Sequence, residues 1–459
     1  MTVVESDVRK SGPGFTMLAP RASPEQRSDI SDADARFAAL GTRAVVVVGQ
    51  GYVGLPLSIL AVERGFRVTG LEIDPGRVGR LNLGDSYIDD ITSPRLGRAL
   101  ATGRFCASSD FASAAGFDIA IITVPTPLRD GAPDLSFIES AAVGLAPHVT
   151  RGCTVILEST TYPGTTEEMV VPLLESGSGL VAGVDFHVGY SPERIDPGNP
   201  RWSLENTPKV VSGISDDSLA AVQGFYSQIV ERTVPVSSTR VAEMTKLLEN
   251  TFRHVNVALI NELAMYAHDM GIRIDEAVDA ASTKPFGFMR FTPGPGVGGH
   301  CLPIDPSYLA WDVKRRLGKT FRFVELANDV NEHMPDYIVA RVVDALNHHR
   351  LPLRGTRILA LGLSYKPNTA DIRESPSLTV VEQLLAKGAD VRAVEPHVHQ
   401  SRLADGVRLT TLTAREIRSA AIVLILTDHD AFDYELVSQH GRIVLDLRNR
   451  VRGTNVERL

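Results

Sequence analysis

Ala44-Val-Val-Val-Val48 runs straight into Gly49-Gln-Gly51-Tyr-Val-Gly54, and the reading of this stretch decides the fold. An unbroken apolar run is what a strand covered on both faces shows. The glycines that follow permit a tight turn, close approach of backbone to a diphosphate, and close helix–strand packing. An apolar helical stretch continues through Ala61, and a second strand, Arg67–Glu72, ends on an acid. Strand, glycine turn, helix and acid in this order form a dinucleotide site: the helix N-terminus takes the phosphate charge and the acid takes the ribose hydroxyls. Glu72 would repel a 2′-phosphate, which selects NAD. Asp74 is the weaker candidate for that role, because it also reads as a turn residue before Pro75. The cofactor contacts expected here are Gly49, Gly51, Tyr52, Val53, Gly54 and Glu72.

Further strand-like runs at Asp118–Val124, Thr154–Leu157 and Asp185–Gly189 alternate with helical or polar segments, which implies a parallel sheet. Val124-Pro-Thr126-Pro127 and Glu158-Ser-Thr160 end two of them, at the edge where ligands sit in open α/β folds. Either threonine can bond cofactor or a water, or simply form a turn or cap. From about Ser238 to Met270 apolar residues recur at helical spacing without a strong break, so a helix of about 30 residues, ~45 Å long, connects two domains or forms a dimer core. After about Leu353 the first pattern returns, with strands at Arg357–Gly362, Asp390–Glu395, Ala421–Thr427 and Arg442–Asp446 and a helix at Leu378–Lys387. The fold class is α/β: two Rossmann-like domains bridged by a long central helix, only the first with a full glycine fingerprint.

The chain has 459 residues, 43% hydrophobic and 22% charged, with a formal net charge of −8. With no dense basic cluster, nucleic acid is not an expected partner. No apolar run nears the ~20 residues that cross a bilayer, and residues 1–40 lack a signal-peptide core, so neither membrane nor export is expected. Those forty residues read as a disordered tail. Cys106, Cys153 and Cys301 show no metal-ligand spacing, so no metal is expected and the free thiols fit the cytoplasm.

Cys301 stands apart from the other two. It lies in Gly294-Pro-Gly-Val-Gly-Gly-His-Cys301-Leu-Pro-Ile-Asp305, where bare backbone lets a substrate carbon reach the sulfur. A thiolate there can hold an aldehyde covalently, and Asp305 can position the water that releases the oxidised product. Cysteine plus NAD is how an aldehyde becomes an acid. Lys246 and Asn250 are i and i+4 on the long helix and face one way. They either stabilise the oxyanion beside Cys301 or are a solvated lysine and a packing asparagine; the sequence weighs these equally. Glu193, in a Pro/Gly-restricted loop just past a strand, is placed for general-base work, though such a residue can simply be solvated. His300 can lower the thiol pKa, but packing or substrate contact is the preferred reading. In the second half, Lys366 and Arg373 stand in a strand-exit loop fit for a nucleotide diphosphate. Arg448 follows the last strand and reads as a phosphate or hydroxyl contact or as surface charge.

In order along residues 43 to 450, Gly49–Leu55, Val124–Pro127, Lys246 with Asn250, the cysteine loop and the Lys366/Arg373 loop resemble the UDP-glucose/GDP-mannose dehydrogenase family. That resemblance implies oxidation of a nucleotide sugar's C6 alcohol to the acid with two NAD per turnover, and a homodimer or higher homo-oligomer. It implies Cys301 as nucleophile, Lys246 and Asn250 as oxyanion support, Asp305 with Thr126 ordering the hydrolytic water, and Glu193 in acid/base work. Ser191-Pro-Glu-Arg-Ile-Asp-Pro-Gly-Asn199 and Lys284–Gly296 resemble the branch acting on UDP-N-acetylhexosamines. UDP-N-acetylglucosamine is the first choice, with UDP-N-acetylmannosamine, UDP-N-acetylgalactosamine and UDP-glucose as alternatives. The implied substrate contacts are Glu193, Arg194, Lys246, Asn250, Arg290, Gly298, Lys366, Arg373 and Arg448, with Asn199 beside Arg194 as a further partner for the acetamido group. The implied domains are the tail (1–40), an NAD-binding domain (41–215), a helical dimerisation domain with the cysteine loop (216–335) and a UDP-sugar-binding domain (336–459). A different class of reading is a non-catalytic NAD-binding protein.

Overall fold

The computed structural model describes residues 43–88, 90–196, 199, 201–299, 302–403 and 406–459. The expected tail, and Cys301 with its neighbour His300, lie outside the described residues. Six parallel strands form the first sheet: β1 (Ala44–Val48), β2 (Arg67–Leu71), β3 (Phe105–Ser108), β4 (Ile119–Ile122), β5 (Thr154–Leu157) and β6 (His187–Tyr190). Their order is β3-β2-β1-β4-β5-β6. Val48 therefore pairs with Leu71 on one side and Ile122 on the other, so β1 ends at the point where the strand order reverses and a crevice opens. Val45–Val48 and Ile119–Ile122 are buried throughout because helices cover both faces. Helix α1 (Gly54–Glu63) is buried from Gly54 to Val62, which is why its sequence is apolar all round.

A short parallel pair, β7 (Lys209–Val211) and β8 (Thr233–Pro235), brackets α2 (Asp216–Tyr226). Val222, Phe225 and Tyr226 of α2 share a core with Val45 and Val47. Ser238 then caps the long helix, where the sequence pattern also changes. Three helices follow: α3 (Thr239–Asp269), α4 (Asp305–Leu317) and α5 (Arg322–His348). With 31 residues, α3 is ~46 Å long. Helix α5 carries Pro335 in its interior and runs through the expected boundary at 335.

The second sheet repeats the first. Strands β9 (Arg357–Leu361), β10 (Asp390–Val394), β11 (Arg408–Leu409), β12 (Ile422–Ile425), β13 (Val444–Asp446) and β14 (Val456–Arg458) are ordered β11-β10-β9-β12-β13-β14, all parallel. Helix α6 (Pro376–Ala386) follows the Lys366/Arg373 loop. Residues of α3, α5 and α6 join the core of this second sheet. No helix among the described residues is long and apolar enough to cross a membrane.

Candidate active site

The glycine turn has the geometry a dinucleotide needs. Gly49 sits at φ +93°, in the left-handed region, and a Cβ there would lie 2.9 Å from the Thr123 carbonyl. At Gly51 a Cβ would meet nothing, so the turn leaves open the space a pyrophosphate takes. Val53, at the N-cap of α1, makes no side-chain cap bond, which leaves the first amides of the helix to an anion. Glu72, 7% exposed at the end of β2, accepts from the amides of Gln50 (3.3 Å) and Asp74 (3.2 Å), which ties this acid to the glycine turn. Asp74 instead caps the next helix through Gly76 and Arg77, which settles it as a turn residue. Thr160 lies half-buried in the turn after β5.

The catalytic candidates meet where α3 passes the first sheet. Lys246 is buried, not solvated, and its Nζ donates to the Glu193 carbonyl (2.8 Å) and to Glu193 Oε2 (3.0 Å). One turn on, Asn250 Nδ2 donates to Asp305 Oδ2 at 2.5 Å. Asp305 opens α4 and is 2% exposed. Burial pushes its carboxyl up to about 6, against the opposing pull of the Lys246 charge and the Asn250 bond. Tyr308, one turn further along α4, donates to the Thr126 carbonyl at 2.7 Å and pins that threonine to the same helix. Two charge-assisted pairs one turn apart can therefore supply an ammonium, an amide and two carboxylates to a single reacting carbon.

The second half closes on this site. Lys366 Nζ donates to Asp196 Oδ1 at 2.5 Å, reaching into the 191–199 segment. Arg373 is held by Asp371 (2.6 Å), and its guanidinium lies 5.4 Å from the ring centre of Tyr52 on the cofactor turn. Arg448 donates from Nε to the Leu426 carbonyl (2.7 Å) and packs on Gly294, where a Cβ would lie 2.6 Å from its Nη1. Gly298 and Gly299 pack flush on Tyr365; a Cβ at Gly299 would lie 2.7 Å from that ring. Other expected contacts are occupied elsewhere. Arg194 is clamped by Glu249 (2.6 Å) and the Pro208 carbonyl (2.5 Å), and Asn199 donates to Asp196 (2.9 Å). Arg290 is exposed and paired with Asp279 (2.6 Å).

Two buried groups escaped the sequence reading. Glu158 accepts from Lys209 and from Tyr226 OH (2.6 Å), while Lys209 also donates to the Pro192 carbonyl (3.0 Å), so this trio braces the residue before Glu193. A lysine beginning the apolar run Lys209–Val211 was the available signal. Glu243, fully buried, accepts from the amides of Gly164 (2.5 Å) and Thr166 (2.9 Å) and from the Thr166 hydroxyl (2.7 Å). It lies three residues before Lys246, on the same helical face. Cys106 is an exposed free thiol; Cys153 is buried, and that burial pushes it up to about 11.

The sequence models of the UDP-glucose/GDP-mannose dehydrogenase family match in succession: the NAD binding domain at residues 43–245, the central domain at 240–333 and the UDP binding domain at 359–453. The chain is 35% identical over 414 residues to UDP-N-acetyl-D-mannosamine dehydrogenase of Pyrococcus horikoshii, covering 89% of this chain and 96% of that one. It is 37% identical over 358 residues to UDP-N-acetyl-D-glucosamine 6-dehydrogenase of Pseudomonas aeruginosa, covering 77% and 83%. The solved UDP-D-ManNAc dehydrogenase from Pyrococcus horikoshii superposes with a TM-score of 0.82 at 33% identity, covering 90% of this chain and 98% of that one. With the glycine turn, the buried Lys246 and Asn250 pairs and all three domains in order, this chain belongs to the UDP-glucose/GDP-mannose dehydrogenase family of NAD-dependent nucleotide-sugar dehydrogenases.

Proposed function

We propose that this chain oxidises the C6 alcohol of a UDP-N-acetylhexosamine, UDP-N-acetylglucosamine first, to the corresponding uronic acid. The observation that carries the reading is the pair of bonds Lys246–Glu193 and Asn250–Asp305, set between the cofactor turn and the Lys366/Arg448 side of the second half. Bound NAD supplies the hydride acceptor, and a four-electron oxidation needs two per sugar. Glu193 takes the alcohol proton, and Lys246 and Asn250 hold the oxygen charge that develops at C6. Cys301 captures the aldehyde as a thiohemiacetal, and the thioester left by the second oxidation is opened by water held on Asp305 and Thr126. Lys366 and Arg448, with Arg373 nearer the cofactor turn, take the nucleotide diphosphate.

The mannosamine epimer is the second reading, supported by the Pyrococcus relative that spans 89% of the chain. We also take the active form to be a homodimer or larger homo-oligomer. Incubation with NAD and a panel of UDP-sugars tests the proposal: two NADH per sugar and a uronic acid product are expected. One NADH per sugar would reduce the chain to a simple alcohol dehydrogenase, and none would leave only a NAD-binding protein.

A further inference from the structure

One turn beyond Asn250 on α3, His254 closes a cavity of about 50 Å³ whose other walls are Val297, Pro303, Asn328, Asn331 and Glu332. Its two most buried polar residues, His254 (1% exposed) and Asn331 (5% exposed), each keep one buried atom without a partner: Nδ1 of the histidine and Nδ2 of the asparagine. Buried polar atoms are rarely left so, and a chain of bonds fixes what each offers. The Gly294 amide donates to Asn261 Oδ1 (3.0 Å), so Asn261 must donate its own Nδ2 to Asn331 Oδ1 (3.0 Å). That leaves the Asn331 amide N–H a buried donor without a partner, on a residue of the cavity wall. On the other side, His254 Nε2 lies 2.7 Å from Asn328 Oδ1, a carbonyl oxygen that can only accept. Nε2 thus carries the proton, and Nδ1 is a bare acceptor. Burial pushes the ring below its usual pKa, so it stays neutral.

One acceptor, one donor and the two apolar walls Val297 and Pro303 match a methyl-bearing secondary amide. The N–H meets His254, the carbonyl meets Asn331, and the methyl group meets the valine and proline. The volume fits a group of a few heavy atoms, since a single water takes roughly 10–15 Å³. The position fits as well. Lys246, Asn250 and His254 are i, i+4 and i+8 on one helix face, about 6 Å apart per step. A sugar whose C6 lies by Asn250 directs the substituent across its ring toward His254. We propose that this cavity receives the N-acetyl group of the sugar and that His254 and Asn331 set the preference for N-acetylated substrates. This assignment rests on the UDP-N-acetylhexosamine reading.

The test compares Asn331→Asp, which turns the donor into an acceptor at constant shape, and His254→Phe with the unaltered enzyme. For each, kcat/KM is measured on UDP-N-acetylglucosamine and on UDP-glucose, with NAD affinity and the thermal midpoint as folding controls. The preference for the N-acetyl sugar is expected to fall roughly ten- to a hundredfold in each variant. An equal fall on both sugars would mean that the two residues only support the loop, and an unchanged preference would mean that the cavity holds only water; either overturns the assignment. Should neither variant fold, calorimetry on the unaltered chain compares UDP-N-acetylglucosamine with UDP-glucosamine, and equal affinity overturns it likewise. If the unaltered enzyme prefers UDP-glucose to every N-acetyl sugar, the substrate reading itself has failed. If it prefers N-acetyl sugars but the variants keep that preference, only the cavity assignment has.

Discussion

The role proposed for Asp305, holding a hydrolytic water, calls for a charged carboxylate, yet the residue is buried where charge is costly. Its carboxyl, raised from the ordinary 3.8 to about 6, stabilises the fold fully below pH ~4, and that contribution is lost as the pH climbs through 6. Asp305→Asn keeps an acceptor for Asn250 and removes the charge. Above pH 6 it is expected to be more stable than the parent by on the order of 2–3 kcal/mol, with the difference fading toward pH 4. Thioester hydrolysis should slow at least ~100-fold, and the acid limb of the parent's rate near pH 6 should vanish. Thermal melts across pH and single-turnover hydrolysis check both, and a variant no more stable at pH 8 would contradict the burial argument. Among single residues, spacing and motif made this group legible: Lys246 and Asn250 at i, i+4, and Asp305 four residues past Cys301. The Arg194–Glu249 pair was not legible, because the two residues are 55 positions apart and only the fold brings them together.

At the scale of the element, α3 turns the usual helix pattern inside out. Its buried face is mostly small or polar (Ala242, Glu243, Lys246, Asn250, Ala258, Asn261), with Leu247 and Ile260 as large apolar exceptions, whereas Leu248, Phe252, Leu259, Leu263 and Tyr266 are exposed. Periodicity in the sequence correctly gave the helix and its length, but it could not say which stripe faces inward, because an apolar stripe can face either the core or another chain. Leu259→Lys is expected to weaken self-association, read by sedimentation, with little change in the thermal midpoint of the dissociated chain. An unchanged sedimentation coefficient would remove this stripe from the interface. The buried face carries a separate expectation. Glu243→Ala strands the Gly164 and Thr166 amides and the Thr166 hydroxyl, and should cost about 2–4 kcal/mol of unfolding free energy. A loss under ~1 kcal/mol in denaturant titration would show that the 158–166 turn is held by other means.

Across the whole molecule, nine of the twelve strands of the two sheets were legible as short apolar runs ending in a turn; β3, β11 and β14 were too short or too polar to stand out. Helix α2 packs back on the first sheet and α5 runs on through Pro335, which only the fold reveals. Lys366 spans the two halves through Asp196, but both side chains are partly exposed, so the pair adds little to stability. Lys366→Ala should therefore shift unfolding by less than ~1 kcal/mol while raising KM for the UDP-sugar at least ~tenfold. An unchanged KM would take this lysine out of nucleotide binding.

The second strand of each sheet is followed by an acid, and the two acids have different fates. Glu72 stands beside an open glycine turn. Glu395 accepts from the amides of Leu363, Ser364 and His397 and from the His429 ring, and although burial pushes its carboxyl up, these partners hold it below its ordinary value. It is committed to its own loop and has nothing left to offer a ribose. Among the described residues the twin sheets thus offer one open glycine turn with an acid beside it, and the four-electron oxidation proposed above would use that berth twice, in sequence. On that proposal the berth would empty and refill between the two visits while a half-oxidised sugar waits, and exchange at Gly49–Gly54 would meter turnover together with the chemistry at the sugar.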